Sequence, residues 1–155
     1  MKSQIYVTKP DYLKLTAIVD NFGPANKELT HWLAILEQEL DRAHVVDSHE
    51  IPQGIVTLHS RVRLRDLDSD ELLTCRLVLP SEAGRTENGL SVLAPVGIAM
   101  LGYGEGDSFE CATPGGTRRF LVENVLFQPE AEAQRRRALV GPAPAPERAT
   151  AYSGM

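Results

Sequence analysis

The sequence predicts an α+β fold, in which an N-terminal antiparallel pair of helices precedes an antiparallel β-sheet with one packed helix. A change of period supports this prediction. Apolar residues recur at helical spacing from Tyr12 to Ala43, and at every second position from Val56 to Leu79. A short apolar run that begins with Pro95 has the composition of a single helix between strands, because proline suits the first turn of a helix.

The first predicted helix begins after Thr8, whose side chain can cap it, with Asp11 three positions further on. The apolar side of this helix consists of Tyr12, Leu15, Ile18, Val19 and Phe22. Gly23-Pro24 then breaks the helical pattern. We therefore expect the chain to turn back on itself at this point.

The second predicted helix runs from about residue 25 or 26 to His44 and has an apolar seam with heptad spacing. The seam residues are Leu29, Leu33, Leu36, Leu40 and Ala43. Two apolar-faced helices joined by a tight break pack as an antiparallel hairpin, here a short coiled coil. We expect Leu33, Leu36 and Leu40 to be buried between the helices. The spacing leaves open whether the hairpin lies on the rest of the domain or projects as an arm.

After a linker at Val45–Gly54, an alternating pattern predicts one half-buried strand or a bent pair of strands. The inward positions of this first alternation are Val56, Leu58, Ser60, Val62 and Leu64. A second alternation follows a turn at Asp66–Glu71, and a polar loop at Ser81–Asn88 comes after it. The apolar positions of the second alternation are Leu73, Cys75, Leu77 and Leu79.

A glycine-rich stretch follows the polar loop. In it, Ser91–Leu93 is a short predicted strand and Pro95 opens a helix, which Gly102 and Gly104 end. The apolar side of that helix consists of Ile98, Met100 and Leu101. Glycine turns then lead into the last predicted strands, which contain Phe109, Cys111 and Phe120–Phe127.

Three regions follow from these patterns: the helical hairpin at 1–48, the sheet domain at 49–130 and an Ala/Pro-rich tail at 131–155. Glu130–Leu139 has the composition of a helical turn or two, but the prolines and alanines beyond it are typical of a disordered extension. The basic run Arg135–Arg137 leaves open a contact with RNA or with an acidic protein surface.

The composition restricts the possible partners and the compartment. A net charge of −5 disfavours bulk attraction to nucleic acid or anionic membranes. No apolar run approaches the length of a membrane span, and the N-terminus lacks the apolar stretch of a signal peptide. Cys75 and Cys111 fit no CxxC pattern, so reduced thiols in a cytoplasmic protein are expected, and a disulfide between them is the less favoured alternative. The protein is expected to be a monomer.

The sequence contains no catalytic motif that we recognise. GxSxG, HExxH and the P-loop pattern are missing, and GYGEGD and PGG are better explained as turns than as phosphate loops. The histidines are spread over a helix, a linker and a strand: His31, His44, His49 and His59. We therefore predict no catalytic residue, no metal site and no cofactor, and favour a binding or regulatory protein over an enzyme.

One set of motifs resembles a known family. SVLAPVGIAMLG at 91–102, EGD at 105–107 and PGGT at 114–117 resemble the C-terminal domain of the GreA/GreB transcription elongation factors. Within that superfamily the chain is most similar to the regulators of nucleoside diphosphate kinase (the Rnk branch). The motifs that favour this branch are LDRA at 40–43, VTLHSRV at 56–62, APVG at 94–97 and QPEA at 128–131.

The resemblance implies an FKBP-like sheet domain that docks on the rim of the RNA polymerase secondary channel, while the arm reaches inside. RNA polymerase is then the expected partner, and nucleic acid is reached only through it. The residues implied at the docking edge are Ser91, Ala94, Pro95, Val96, Gly97, Leu101, Gly102 and Tyr103. Tyr103 stands where the Gre factors usually have a lysine, so the docking contacts here differ at that position.

The tip of the arm also departs from the family. Gre arms present acidic residues that help to hold a Mg²⁺ ion for cleavage of backtracked RNA. The tip here comprises Asp20, Asn21, Lys27 and Glu28, and Asp20 and Glu28 are its only acids. The arm is also short. Because of these departures, we expect a non-catalytic regulator of this family, without Gre-type transcript cleavage. We expect Asp20 and Glu28 to be exposed.

Two alternatives remain open from the sequence. The name of the Rnk branch suggests direct binding to nucleoside diphosphate kinase, as opposed to an effect on kinase levels through transcription. FKBP-like domains also suggest peptidyl-prolyl isomerase activity, which needs an apolar, aromatic-lined pocket. The aromatic residues of the domain mostly fall where a core would use them: Tyr103, Phe109, Phe120 and Phe127.

Overall fold

The computed structural model describes residues 5–21, 27–113 and 115–140. Its strands are β1 (Tyr6–Thr8), β2 (His44–Val46), β3 (Arg61–Asp66), β4 (Leu72–Val78), β5 (Gly89–Ser91), β6 (Ser108–Thr113) and β7 (Gly116–Phe127). Its α-helices are α1 (Lys9–Asn21), α2 (Lys27–Asp41), α3 (Pro95–Met100) and α4 (Pro129–Val140), and short 3₁₀ helices lie at Ser48–Glu50 and Pro80–Arg85. None of the helices described is both long and apolar enough to cross a membrane.

The main sheet has five strands in the order β5-β4-β3-β7-β6. The α+β class is confirmed, but the sheet is not wholly antiparallel, because β5 runs parallel to β4. The reason is the connection between them: the 3₁₀ helix at Pro80–Arg85 carries the chain back along the sheet before β5 begins. The other neighbouring pairs of the sheet are antiparallel, and β3 meets β7 with two shifts of register.

The first alternation predicts burial correctly but not strand extent. Val56, Leu58, Val62 and Leu64 are buried, and Ser60 lies inside with them. The strand itself begins only at Arg61, because the backbone bends at the preceding residues and His59 adopts a positive φ of 71°. Of the open alternatives, the structure has a bent segment followed by one strand.

The second alternation holds for Cys75 and Leu77, which are buried, but not for Leu73. The side chain of Leu73 is 46% exposed, so its predicted place in the core is wrong. Leu73 ends a run of exposed residues that starts at Leu67 in the turn before β4. This end of the sheet, at the turn between β3 and β4, therefore extends beyond the hydrophobic core.

The helical hairpin begins as predicted. The Thr8 side-chain oxygen accepts a hydrogen bond from the backbone N–H of Asp11 at 3.2 Å, which caps α1. The predicted break at Gly23-Pro24, together with Phe22, lies outside the described residues. Leu33, Leu36 and Leu40 are buried, as expected, and they share one core with Leu15 of α1 and with residues of the sheet domain. The base of the hairpin thus packs on the domain, whichever way its outer half points.

The second helix ends at Asp41, earlier than predicted, because His44 belongs to a strand. This strand, β2, pairs in parallel with β1, so that Tyr6 lies opposite His44. Neither strand is evident in the sequence pattern, in which Val45 and Val46 belong to the predicted linker. The hairpin therefore starts and ends on a two-stranded sheet of its own.

The C-terminal region differs from the predicted disordered extension for residues 131–140, which continue the helix α4. Four hydrogen bonds fasten α4 and the residue before it, Gln128, to the segment that precedes β3. The Gln128 amide donates to the carbonyls of Pro52 and Ile55 at 3.0 and 2.9 Å. Glu130 accepts a hydrogen bond from the Thr57 hydroxyl at 2.8 Å, and the Gln134 amide donates to the His49 carbonyl at 2.7 Å. The prolines of the tail lie outside the described residues.

Candidate protein-docking edge

The predicted docking residues lie in a strand, a turn and a short helix at one edge of the sheet. Backbone hydrogen bonds fix this turn: Val92 N–H donates to the Val78 carbonyl at 2.8 Å, and Ala94 N–H to the Ser91 carbonyl at 2.9 Å. The Ser91 hydroxyl also accepts a hydrogen bond from Leu93 N–H at 3.0 Å. Ser91 therefore shapes the turn from both its backbone and its side chain.

Helix α3 begins with Pro95 in its first turn, and Ala94 is the capping residue. The Ala94 backbone is extended, with φ −72° and ψ 151°, and its methyl group makes no capping hydrogen bond. Gly97 brings the helix close to β5, since a Cβ atom at this position would lie 2.1 Å from the Ser91 carbonyl oxygen. Only glycine fits at residue 97 without a movement of the backbone.

Gly102 ends the region at a second close approach. Its φ is +84°, and a Cβ atom there would lie 2.6 Å from Cβ of Ile5. Gly102 N–H donates to the Val56 carbonyl at 3.0 Å, and its own carbonyl accepts from Tyr6 N–H at 3.2 Å. The turn after α3 is thus held between the chain that enters the arm and the chain that leaves the linker.

Tyr103 belongs to the core, because its side chain is only 3% exposed. Its ring stacks on Phe109 with 5.9 Å between centroids, and Phe109 lies 5.7 Å from Phe120. The Arg42 guanidinium is partly desolvated, but its hydrogen bonds to Glu39 and Tyr103 hold the pKa of Arg42 above its ordinary value. The ion pair between Arg42 and Glu39 has a distance of 2.7 Å.

Burial divides the eight predicted docking residues into two groups. The half-buried group, which reaches the surface, is Ser91, Ala94, Pro95 and Val96. The fully buried group is Gly97, Leu101, Gly102 and Tyr103. The side chains of the second group are not available to a partner. We define the docking edge from here on as residues 91–96.

The structure describes only part of the predicted arm tip. Asp20 and Asn21 are exposed at the end of α1, as expected for Asp20. Lys27 and Glu28 begin α2, but their side chains lie outside the described part of the chain. At 1.5 Å per residue the two helices are about 20 and 22 Å long, which is consistent with the expected short arm.

A buried polar cluster, which the sequence analysis missed, joins α1, the bend before β3 and α4. Asp11 is buried, and its carboxylate accepts a hydrogen bond from Leu58 N–H at 3.0 Å. Desolvation, opposed by that hydrogen bond and assisted by the charge of Glu130, raises the pKa of Asp11 to about 6. Thr57 links the cluster to α4, since its hydroxyl bonds to both Ser60 and Glu130. The capping signal had identified Asp11, but not its burial.

Other reactive groups in the described residues have structural explanations. Both cysteines are free thiols and buried, and burial raises the pKa of Cys111 and raises that of Cys75 to about 11. Asp47, His49 and Glu50 have ligand atoms within 4.8 Å of one another. Two of them already have partners, because Asp47 pairs with Lys9 at 2.9 Å and Glu50 accepts from Asp47 N–H.

Comparison with known proteins agrees with the motifs at this edge. Residues 51–127 match the family described as "Transcription elongation factor, GreA/GreB, C-term". A structure of a prokaryotic transcription elongation factor GreA/GreB from Nitrosomonas europaea is similar over 81% of this chain and all of that one. Its sequence identity is 35% and its TM-score 0.64.

Two curated sequences are also similar to this chain. A "Regulator of nucleoside diphosphate kinase" from Escherichia coli K12 is 42% identical over 97 residues, which are 62% of this chain and 71% of that protein. "Transcription elongation factor GreA" from Desulfotalea psychrophila is 40% identical over 90 residues, 58% of this chain and 56% of that protein. The chain belongs to the GreA/GreB transcription elongation factor family.

Proposed function

We propose that this protein is a non-catalytic transcription regulator that binds RNA polymerase at the rim of the secondary channel through the docking edge. Family membership supports a role in transcription. The proposed fold is the FKBP-like domain of the family with a short coiled-coil arm, and the division at about residues 48 and 130 is part of the proposal. Because the proposed partner is RNA polymerase, the protein would act in the cytoplasm. We propose that it binds as a monomer.

The single observation that carries the proposal is the geometry of residues 91–96. Ser91, Ala94, Pro95 and Val96 reach the surface together. Their backbone is held by the hydrogen bonds from Val92 to Val78 and from Ala94 to Ser91, and by the ring of Pro95. Little conformational freedom is therefore lost when a partner binds. A small, rigid and mostly apolar edge of this kind is well suited to a protein partner.

The arm supports regulation rather than RNA cleavage. Cleavage needs carboxylates held close together for a Mg²⁺ ion, and the tip has only Asp20 and Glu28, eight positions apart in the sequence. The aromatic residues that an isomerase pocket would need are used otherwise, since Tyr103, Phe109 and Phe120 are buried against one another. We therefore propose that the arm acts by occupying space near the channel.

The relationship to a regulator of nucleoside diphosphate kinase suggests the physiological effect. We propose that the kinase is affected through transcription elongation, which changes its level without a contact between the two proteins. Direct binding to the kinase is the alternative. Size-exclusion chromatography of both proteins at micromolar concentration separates these possibilities, because only the alternative predicts a stable complex.

The central experiment is a pull-down with core RNA polymerase at moderate salt, using the variant Ala94→Asp. Aspartate is a favourable residue at the start of a helix, so this change should keep or improve the stability of α3. It also places a charge in the middle of the docking edge. We expect binding to fall by about tenfold or more, since an unpaired charge is costly to bury in an interface.

Ala112→Asp is the matched control, because Ala112 is exposed on β6 and the change of charge is the same. This variant should bind like the wild type. Competition with GreA for the polymerase is a second expected result. A wild-type protein that does not bind core polymerase, or an Ala94→Asp variant that binds as well as the wild type, would contradict the proposal.

A further inference from the structure

A cleft of about 360 Å³ lies on the outer face of the sheet, and none of the residues of the docking edge lines it. Its polar lining comes from β3, β4 and the turn before β5: Arg61, Thr74, Arg76, Thr86, Glu87 and Asn88. This volume is within the range of small-molecule sites in proteins. The lining is far more polar than a typical apolar pocket, which points to a charged ligand.

Two arginines lie side by side in the lining, on neighbouring strands of the sheet. Arg61 on β3 is the direct cross-strand partner of Arg76 on β4. Like charges in directly opposite positions of a sheet are unfavourable, unless something of opposite charge compensates them. Glu87 is the single acid in the lining, so the cleft keeps an excess of positive charge.

Arg65, on the same strand, has an environment different from that of this pair. Arg65 forms ion pairs with Glu123 at 2.7 Å and with Asp70 at 2.8 Å, so its charge is balanced within the protein. Among the residues that the structure describes, the side chain of Arg61 has no hydrogen-bond or ion-pair partner, and Arg61 is exposed at the cleft. An anion from solution can supply the negative charge that Arg65 receives from Glu123 and Asp70.

Arg76 is already held in place for such an anion. One of its terminal nitrogens donates to the His59 carbonyl at 3.0 Å, and its guanidinium lies 5.3 Å from the centre of the Phe127 ring. A guanidinium has five N–H donors, so several remain after the bond to His59. A positioned arginine loses little freedom on binding, which favours affinity.

The rest of the lining adds neutral hydrogen-bonding groups. Thr74, Thr86 and Asn88 bring two hydroxyls and an amide, and none of these side chains has a hydrogen bond within the described part of the chain. Asn88 has a positive φ of 56°, a conformation that asparagine tolerates, and its carbonyl accepts from Arg76 N–H at 2.9 Å. Both sides of the cleft are therefore tied to each other through the backbone.

We infer that this cleft binds a small phosphorylated ligand, with the phosphate between Arg61 and Arg76. Phosphate oxygens accept several hydrogen bonds at once and match the fork of a guanidinium. The threonine and asparagine side chains would complete the contacts, while Glu87 would accept from a hydroxyl or amine elsewhere on the ligand. This inference does not depend on polymerase binding, because the site belongs to the isolated chain.

Isothermal titration calorimetry of the full chain tests the inference with three probes: inorganic phosphate, pyrophosphate and guanosine monophosphate. We expect saturable binding of one ligand per chain for at least one probe. Arg61→Gln should weaken it by about tenfold, since a hydrogen-bonded charge is lost. Glu87→Gln should strengthen the binding of the phosphate probes, because it removes the only negative charge of the lining.

Arg119→Gln is the matched control, because Arg119 pairs with Asp68 outside the cleft and the change in net charge is the same. It should leave the affinity within about twofold of the wild type, since a distant exposed charge is screened by salt. The inference is overturned if no probe gives saturable binding, or if Arg119→Gln weakens binding as much as Arg61→Gln. It is also overturned if a short single-stranded oligonucleotide binds at the cleft and the small probes do not.

Discussion

The carboxylate of Asp11, in the first turn of the arm, accepts a hydrogen bond from the backbone N–H of Leu58 at 3.0 Å. These residues are 47 positions apart in the sequence. The bond ties the arm to the bend that precedes β3, and Glu130 of α4 lies near enough to raise the pKa of Asp11 further. One buried acid thus stands where three separate segments of the chain meet.

The first prediction concerns the pH dependence of stability. The pKa of Asp11 is about 6 in the folded protein and near 3.8 in the unfolded chain, so the folded state binds the proton more tightly. The contribution of Asp11 to the free energy of unfolding should therefore be greatest below pH 4 and decline as the pH rises to about 6, by roughly 3 kcal/mol in total. Urea denaturation across this pH range measures the effect.

Asp11→Asn should remove this part of the pH dependence. Asparagine cannot ionise, but its amide oxygen can still accept the hydrogen bond from Leu58. At pH 7.5 the variant should be more stable than the wild type by about 1–3 kcal/mol. Asp11→Ala is the comparison, since it leaves Leu58 N–H buried without a partner and should be about 1–3 kcal/mol less stable than Asp11→Asn. An unchanged pH profile in Asp11→Asn would show that other groups control it.

The second prediction concerns the contact between α3 and β5. Gly97→Ala places a Cβ atom 2.1 Å from the Ser91 carbonyl oxygen, which is backbone and cannot move aside alone. We expect a loss of about 3 kcal/mol or more, as for overpacked cores, and weaker binding to polymerase because the docking edge is displaced. Gly84→Ala is the control: no atom lies within 4 Å of the new methyl group, so stability should not fall. Equal stabilities of the two variants would be incompatible with this close approach.

The third prediction tests how firmly the arm is packed on the domain. Leu36 in α2 is completely buried in the common core, and Leu36→Ala should cost about 2–5 kcal/mol. Leu13 in α1 is 69% exposed, and Leu13→Ala should change stability by less than about 0.5 kcal/mol. Chemical denaturation distinguishes the two. Similar small effects would mean that α2 leaves the core easily.

The fourth prediction concerns thiol reactivity. Cys75 and Cys111 are buried, and burial raises both thiol pKa values, so little thiolate is present at neutral pH. A thiol reagent such as 5,5′-dithiobis(2-nitrobenzoic acid) should react slowly with the folded protein at pH 7.5 and rapidly in denaturant. Fast labelling of one thiol in native buffer would indicate that its strand opens.

The sequence was sufficient where a local period decides the structure. Alternation identified Val62 and Leu64 as core residues, because a strand with one buried face alternates between core and solvent. It also placed Ser60 inside, although Ser60 lies in the bend before the strand. The capping pattern located the start of α1 at Thr8. Both signals act within a few residues, so no knowledge of distant contacts was needed.

The sequence was insufficient where pairing between distant segments determines the structure. Strands β1 and β2 have three residues each, too few for a visible period, and they form because Tyr6 meets His44 across the whole hairpin. Helix α4 extends beyond the predicted turn or two through contacts of Gln128 and Gln134 with the segment before β3. The burial of Gly102, one of the residues predicted for docking, likewise depends on Ile5.

The parallel pair of β1 and β2 has a mechanical consequence. His44 N–H donates to the Ile5 carbonyl at 2.8 Å, which joins the two ends of the hairpin to each other. Tyr6 N–H donates to the Gly102 carbonyl at 3.2 Å, which fastens the first end to the turn after α3. Backbone hydrogen bonds thus restrict the movement of the base of the arm. A movement of the arm relative to the turn after α3 would therefore have to break the hydrogen bond between Tyr6 and Gly102.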